Sequence, residues 1–400
     1  MQNPPSAPFD TLLLDRLMEA AGVDLLLATS KPNVQYLLGG HRSGFFEHAD
    51  AIGLSRYLPI VIYPRGRADQ TAYIGHKMET FQQEVSPLWV SAVRTASSGS
   101  GDAMRQAVEF IKTAGLPARR IAAELGFLPA DAFQVLRDGF PGSQTLDALP
   151  ALERLRARKR PHEIDKLRLA SDRVIDAMLA VIAGHGPGTT KHQLVEALRR
   201  EQVMRGLDFD YCLITAGSSL NRAASDQPWQ AGEILSLDSG GNFQGYIGDV
   251  CRMGILGEPD TELVDLLGEV DAIQQAAFQA VRGGVPGQTI YDLAEAVRRR
   301  SPHAGDIAFL AHGMGLVSHE VPHLTATGPV PYPAEDADRP LDSGMVLSIE
   351  TTLRHPRRGF IKLEDTVLVR EQGHEILGAA GRGWNRGNTR SAAAARSIAA

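Results

Sequence analysis

Five side chains in the second half of the chain have the types and settings to do chemistry: Asp238, Asp249, His312, Glu350 and Glu364. Most of these carboxylates sit in or beside apolar, strand-like runs, at residues 234–238, 345–350 and 360–364. An ionised carboxylate in such surroundings loses hydration and is costly unless something positive accompanies it. Four of them need several positive charges, which a pair of divalent metal ions supplies. Four carboxylates with one imidazole suit hard to intermediate ions such as Mn, Co, Fe or Zn. The chemistry implied is hydrolysis by water activated at two metals. Each residue also has a plainer reading when taken alone. Asp238, just before Gly240, could form a turn, and Asp249 could cap one. Glu350 and Glu364 could lie on an exposed strand edge, and His312 could be a satisfied core histidine. The order and spacing of all five together argue for the metal site.

The elements that must position them divide into two parts. Residues 1–151 read as an α/β unit. A short amphipathic helix at 12–21 is followed by strands at 23–28, 58–63 and 71–74, with a turn at Pro64-Arg65-Gly66. A helix at 102–114 stopping at Gly115 and a strand at 121–125 complete it. Strands alternating with helices suggest a sheet covered by helices. Charge density rises near residue 152, where the boundary is placed. Beyond it, apolar positions such as Ile164, Leu167, Val174, Ile175, Met178 and Val181 recur at the spacing of a long helix over 163–183.

An internal repeat follows. Gly188, Thr190, Leu194, Glu196, Ala197, Arg199 and Arg200 recur ninety-nine positions later as Gly287, Thr289, Leu293, Glu295, Ala296, Arg298 and Arg299. A helix precedes each copy and an acidic strand pair follows it. The repeat predicts two similar halves facing each other, each contributing two carboxylates to one central site. The domain is expected to run over 152–378, with residues 379–400, rich in Gly, Ala, Ser and Arg, forming a tail that is expected to be poorly ordered beyond about Asn388.

Composition narrows the class. The 400 residues are 43% hydrophobic and 22% charged, ordinary for a globular protein, and carry a formal net charge of −6. That balance gives no footprint for nucleic acid or an anionic membrane. Basic runs at 154–160 and 298–300 read as solvated helix faces. Two cysteines, Cys212 and Cys251, make no disulfide framework. With no signal-peptide pattern at the amino terminus and no apolar stretch long enough to cross a bilayer, the cytoplasm is expected.

The motifs line up with a known family. Leu237-Asp238-Ser239-Gly240 with Tyr246-Ile247-Gly248-Asp249 resembles the acidic hairpin of the pita-bread metallopeptidases. These include methionine aminopeptidase, aminopeptidase P, prolidase and their relative creatinase. Ala311-His312-Gly313-Met314-Gly315 followed by His319-Glu320-Val321-Pro322 resembles the family's Gly-His-Gly-Ile-Gly and His-Glu-x-Pro pattern. Residues 344–350 and 363–366 resemble its last two blocks. The resemblance covers about residues 152–378, and the first third resembles the extra amino-terminal domain of the aminopeptidase P, prolidase and creatinase branch.

The resemblance implies an α+β protein with a carboxy-terminal pita-bread domain of pseudo-twofold symmetry and a creatinase-like α/β domain before it. It implies two divalent metal ions, manganese first and Co, Zn or Fe as alternatives. Asp238 would bind one, His312 and Glu350 the other, and Asp249 and Glu364 would bridge both, with His319 as proton shuttle. It further implies a homodimer acting as an Xaa-Pro aminopeptidase or prolidase on small peptides.

Some features depart from that pattern. The histidine that usually lies about seventeen residues before the first aspartate falls here near Asn221, which can donate a hydrogen bond but carries no charge. The arginine usual two residues before the last glutamate is Lys362, which lacks the bidentate fork. Both are expected at the substrate, and they keep open a second reading: a non-peptidase C–N hydrolase, similar to creatinase or ectoine hydrolase, acting on a small nitrogenous metabolite. A catalytically silent binding module of the same fold is a third, against which all ligands are present. His319-Glu320-Val321-Pro322-His323 also spells H-E-x-x-H, but Pro322 breaks the helix which that zinc motif requires. His323 is left either lining the substrate pocket or at the surface. The loop at 40–58, with His41, Arg42, Phe45, Phe46, Glu47 and His48, either reaches a neighbouring subunit's site or is an ordinary surface loop.

Overall fold

A computed structural model describes residues 6–42, 53–327 and 333–389. The chain divides into two compact units, after Arg156. The sequence boundary at 151/152 falls instead inside a helix, Leu149–Ala157, that runs on through it.

The first unit begins with α1 (Thr11–Ala20), β1 (Leu25–Ala28), α2 (Lys31–Leu37), β2 (Ile60–Pro64), β3 (Ala72–His76) and β4 (Ala92–Ser97). It continues with α3 (Ser100–Thr113), β5 (Arg120–Ala123), α4 (Ala130–Gly139), β6 (Gln144–Asp147) and α5 (Leu149–Ala157). The six strands form one mixed sheet in the order β4-β3-β2-β1-β5-β6. The central strands Leu25–Ala28 and Ile60–Pro64 are buried at every position, so they read as continuous apolar runs rather than alternating ones. Met104 and Ile111 of α3 and Leu136 of α4 pack on Leu25, Leu27, Ile60 and Ile62. Residues 43–52 of the aromatic loop lie outside the described residues. His41 is buried, 3.3 Å from Glu79.

The second unit is two copies of one pattern. The first copy is α6 (Pro161–Gly184), α7 (Lys191–Met204), β7 (Asp208–Ala216), β8 (Ile234–Phe243) and β9 (Tyr246–Ile255). The second is α8 (Thr261–Phe278), α9 (Gln288–Arg298), β10 (Ile307–Gly313), β11 (Val346–His355) and β12 (Gly359–Val369), with β13 (His374–Leu377) added beside β12. The strands join in the order β10-β11-β12-β9-β8-β7. The two third strands therefore meet at the middle, antiparallel, with Cys251 opposite Glu364. This is the pita-bread arrangement with its pseudo-twofold repeat.

Strand period fixes which face does what. Leu237, Val250, Ile349 and Leu363 point to the helix-covered side and belong to the two apolar cores, one built mainly around α6 and α7 and the other around α8 and α9. Their neighbours in sequence, Asp238, Asp249, Glu350 and Glu364, point the other way. Gly248 lets α6 lie directly on β9: a Cβ there would meet the backbone of Ala170 and Ser171 at 2.6–2.8 Å.

Residues 379–389 are held against the second unit. Asn385 and Arg386 pair with β9, and the Trp384 indole donates to the Leu263 carbonyl at 3.1 Å. The basic run at 154–160 is not wholly a solvated face, since Arg156 and Lys159 are buried. Among the described residues no helix is long and apolar enough to cross a membrane.

Candidate metal centre

Four strands of the central sheet deliver the acidic groups and a fifth the imidazole. β8 and β9 are joined by Gln244 and Gly245, with φ of 54° and 89°, and Phe243 faces Tyr246. Two residues of positive φ make a hairpin turn whose twist matches that of the strands, and a turn this short leaves no freedom of register. Asp238 is thereby set opposite Cys251, and Asp249 opposite Gly240. On the other side, Glu350 faces Glu364 and His312 faces Ser348.

Asp238, Asp249, His312 and Glu364 are buried, and Glu350 is half-buried. Ligand atoms of Asp249, His312 and Glu364 all lie within 4.8 Å of one another, the span over which one cation can be held. His312 Nδ1 lies 3.2 Å from the Gly313 carbonyl, and His312 Nε2 lies 3.9 Å from Glu364 Oε1. The Ser348 hydroxyl donates to Glu364 Oε1 at 2.8 Å.

Two protein cations enter the group. The Lys362 ammonium lies 2.6 Å from Asp238 Oδ2 and 2.9 Å from Glu364 Oε2, and also pairs with Glu350. The Arg222 guanidinium pairs with Asp238. Four carboxylates against two cations leave two negative charges when all are ionised, the charge that one divalent ion would balance. The strain shows in the protein alone. Burial, then Glu364 and Asp238, pushes the Asp249 carboxyl well above the usual carboxylate range. Burial also raises Asp238, although Lys362 and Arg222 pull it back. Burial disfavours the Lys362 charge, but Asp238, Glu350 and Glu364 outweigh it and raise its pKa well above the ordinary value. The donor chemistry, burial and residual charge therefore fit a divalent metal.

His319 stacks on His312, with ring centroids 3.8 Å apart and planes 16° apart. Burial, then His312, Lys362 and His323, pushes the His319 pKa down to about 3, so the ring is neutral near pH 7. The segment around it is irregular rather than helical, which removes the zinc-helix reading of residues 319–323. Glu320 pairs with Lys159 at 2.9 Å, both side chains buried. Gly313 makes room for this segment: a Cβ there would strike the backbone of Glu320 and Val321.

The expected substrate residues fare differently. Asn221 is exposed, and its side-chain oxygen accepts the Ala223 N–H at 2.9 Å in a local turn. It is the next residue, Arg222, that reaches Asp238. Lys362, expected at the substrate, has its ammonium among three carboxylates. His323 is outside the ligand group: its backbone N–H binds Asp336 at 2.9 Å, and its ring lies 3.7 Å from the half-exposed Glu335. Sequence reading also missed Tyr211, whose hydroxyl donates to Asp249. No local sequence pattern marks it: sheet register sets Tyr211 opposite Gly240, whose bare backbone accommodates the ring.

The geometry agrees with the comparisons. Metallopeptidase family M24 matches residues 165–371, and the Creatinase/Prolidase N-terminal domain matches residues 13–158. The chain belongs to metallopeptidase family M24. A probable dipeptidase, PepE, of Mycobacterium bovis is 30% identical over 263 residues, which are 63% of this chain and 62% of that protein. The match thus spans less than two thirds of that relative. An uncharacterised peptidase of Bacillus subtilis, YqhT, is 23% identical over 91% of this chain and 96% of its own. Among solved structures, an Xaa-Pro dipeptidase from Bacillus anthracis superposes with a TM-score of 0.78 at 18% identity, covering 94% of this chain and 98% of that one. The prolidase from Pyrococcus horikoshii gives 0.76 at 18% identity, with the same coverage. At these identities the structures speak for the fold.

Proposed function

We propose that this chain is a metal-dependent hydrolase that cleaves the C–N bond of small peptides, of the Xaa-Pro dipeptidase or aminopeptidase type. The observation that carries the reading is the group of four carboxylates, three buried and one half-buried, and one imidazole on one sheet face, with two negative charges left over after Lys362 and Arg222 when all are ionised. Asp238, Asp249, His312, Glu350 and Glu364 would hold the metal, and Asp249 and Glu364 would bridge if two ions bind. Manganese suits this oxygen-rich set best. A divalent ion supplies Lewis acidity there: it makes water a nucleophile near neutral pH and stabilises negative charge on a carbonyl oxygen. The chain's own residues do the rest. Tyr211 and Ser348 fix the orientation of Asp249 and Glu364 by hydrogen bonds. His319, neutral and stacked on His312, is available to take up and return a proton at a ring nitrogen. The relatives' names, a probable dipeptidase and an Xaa-Pro dipeptidase, support the peptide class. A homodimer in the cytoplasm, with residues 1–156 as a separate amino-terminal domain, belongs to the same reading.

One observation favours a second reading. No imidazole stands where Asn221 was counted, and an arginine occupies Asp238 instead. A small amide or guanidino metabolite needs no such imidazole at its scissile bond. The test is a panel of Xaa-Pro dipeptides, cyclic amides and guanidino compounds, offered to chelator-stripped protein with and without added Mn²⁺. Mn²⁺-dependent release of proline from the dipeptides is expected. Turnover confined to the small amides would overturn the peptide assignment.

A further inference from the structure

His319 lies in the irregular stretch after β10, where no helix or strand ladder fixes its direction. Its ring nevertheless lies flat on His312, with centroids 3.8 Å apart. The next residue is the one that is tied down. The Glu320 N–H donates to the Gly313 carbonyl at 3.0 Å. Its Oε1 accepts from the Lys159 ammonium at 2.9 Å, with each side chain 1% exposed. Lys159 stands just before α6 and is itself fixed at both ends. Its N–H donates to the Gly344 carbonyl at 2.8 Å, and its ammonium also donates to the Ala157 carbonyl at 3.2 Å. Gly315 leaves the space for the pair: a Cβ there would strike Glu320 Oε1 and Lys159 Cε. Two consecutive residues are thus anchored through different groups, His319 by its ring on His312 and Glu320 by its carboxylate on Lys159.

An ion pair with both groups buried is a poor source of stability. Desolvation offsets much of the attraction, and well-packed apolar replacements are often neutral or stabilising. What such a pair does supply is direction, because a charge-assisted hydrogen bond is short and oriented. Neither Lys159 nor Glu320 is among the five donors of the metal centre. We propose that they are positioning residues: together they set the peptide between residues 319 and 320, and so hold the His319 imidazole against His312, where it exchanges a proton with the reacting group. The inference rests on the reading of His319 as the proton acceptor of a metal hydrolase, and it names what orients that acceptor.

The experiment combines Lys159→Met with Glu320→Leu in the full-length protein. Apolar side chains of similar size replace the buried pair, so folding by circular dichroism and bound Mn²⁺ by elemental analysis are expected to match the wild type. Two readouts separate positioning from support. Ring-to-ring nuclear Overhauser contacts between His312 and His319, followed with isotope-labelled histidine, are expected in the wild type and lost in the variant. On an Xaa-Pro dipeptide, kcat is expected to fall about 100-fold with KM little changed, the usual effect of a displaced catalytic group. The same pair of substitutions in a His319→Ala background is expected to add no further loss. Should the apolar pair fail to fold, Glu320→Gln, of equal size and still able to accept from Lys159, is read in the same way, with a smaller loss in both readouts. Intact ring contacts or unchanged kcat in the folded, metal-loaded variant, or an equal fall in the His319→Ala background, would overturn the proposal and leave the metal hydrolase standing. Full activity in His319→Ala would instead overturn the proton-acceptor reading. Absence of any turnover by the wild type would overturn the hydrolase reading, and the ring contacts would then decide by themselves whether the pair orients His319.

Discussion

His319 lies flat against His312, ring on ring at 3.8 Å, although seven positions of irregular chain separate them. On the proposed function, the contact would set a proton acceptor beside the carboxylate group without its being a ligand. His319→Ala is therefore expected to keep its bound metal while kcat falls by roughly 10²–10⁴, the usual worth of a positioned acid or base. Elemental analysis alongside steady-state kinetics checks this. Loss of metal together with activity would make His319 a ligand instead.

Arg252 is fully buried at the centre of the second unit, and its donors reach the carbonyls of Cys251, Glu364, Gly378 and Ala380 and the carboxylate of Asp365, at 2.6–2.9 Å. It ties the two central strands to the segment after β13. Arg252→Met removes one partner of a buried pair and is expected to cost about 3–5 kcal/mol. Chemical denaturation should show the loss, and hydrogen exchange should show residues 378–389 opening first. Unchanged protection of that segment would contradict the role.

In the first unit, Glu79 is a buried carboxylate that accepts from Tyr73 at 2.7 Å, the His76 N–H at 3.0 Å and His41 at 3.3 Å. Burial alone would raise its pKa, but the hydrogen bonds from His41, His76 and Tyr73 outweigh that and hold it below the ordinary value. The folded value is the lower one, so this contribution is present above the unfolded carboxyl's range, about 4.3, and is lost as pH falls through the folded value. Glu79→Gln is expected to destabilise the unit by about 1–3 kcal/mol at pH 7. The gap from wild type should shrink below pH 4, followed by exchange protection of β3. A gap independent of pH would contradict the assignment.

Gly313 lies beside His312, where a side chain would meet the backbone of Glu320 and Val321. Gly313→Ala is expected to lower stability by about 1–3 kcal/mol and to weaken Mn²⁺ binding by moving His312. A titration of the purified variant checks it, and wild-type affinity would contradict it.

The sequence carried the acidic strands well, because a carboxylate one residue away from a run of core residues must face a different environment from them. The repeat was legible for a related reason: two helix starts with the same turn and cap precede two hairpins with the same polarity. What stayed hidden depends on distances across the sheet. Arg222 and Tyr211 reach Asp238 and Asp249 from a strand and loop whose register no local pattern sets. Lys159 and Glu320, 161 positions apart, are a buried pair that composition reads as surface charge. Trp384 and Asn385 lie in a Gly-rich stretch with no helix or strand pattern, yet their side chains find carbonyls on folded neighbours.

The central claim is that these buried carboxylates exist to hold a cation, and metal content in Asp249→Asn tests it most directly. Wild-type protein dialysed against Mn²⁺ should retain the ion after gel filtration. The variant, with neutral Asn in place of the carboxylate that burial and Glu364 push well above the usual carboxylate range, should elute without metal and without hydrolytic activity. Equal metal content and full activity in Asp249→Asn would contradict the account.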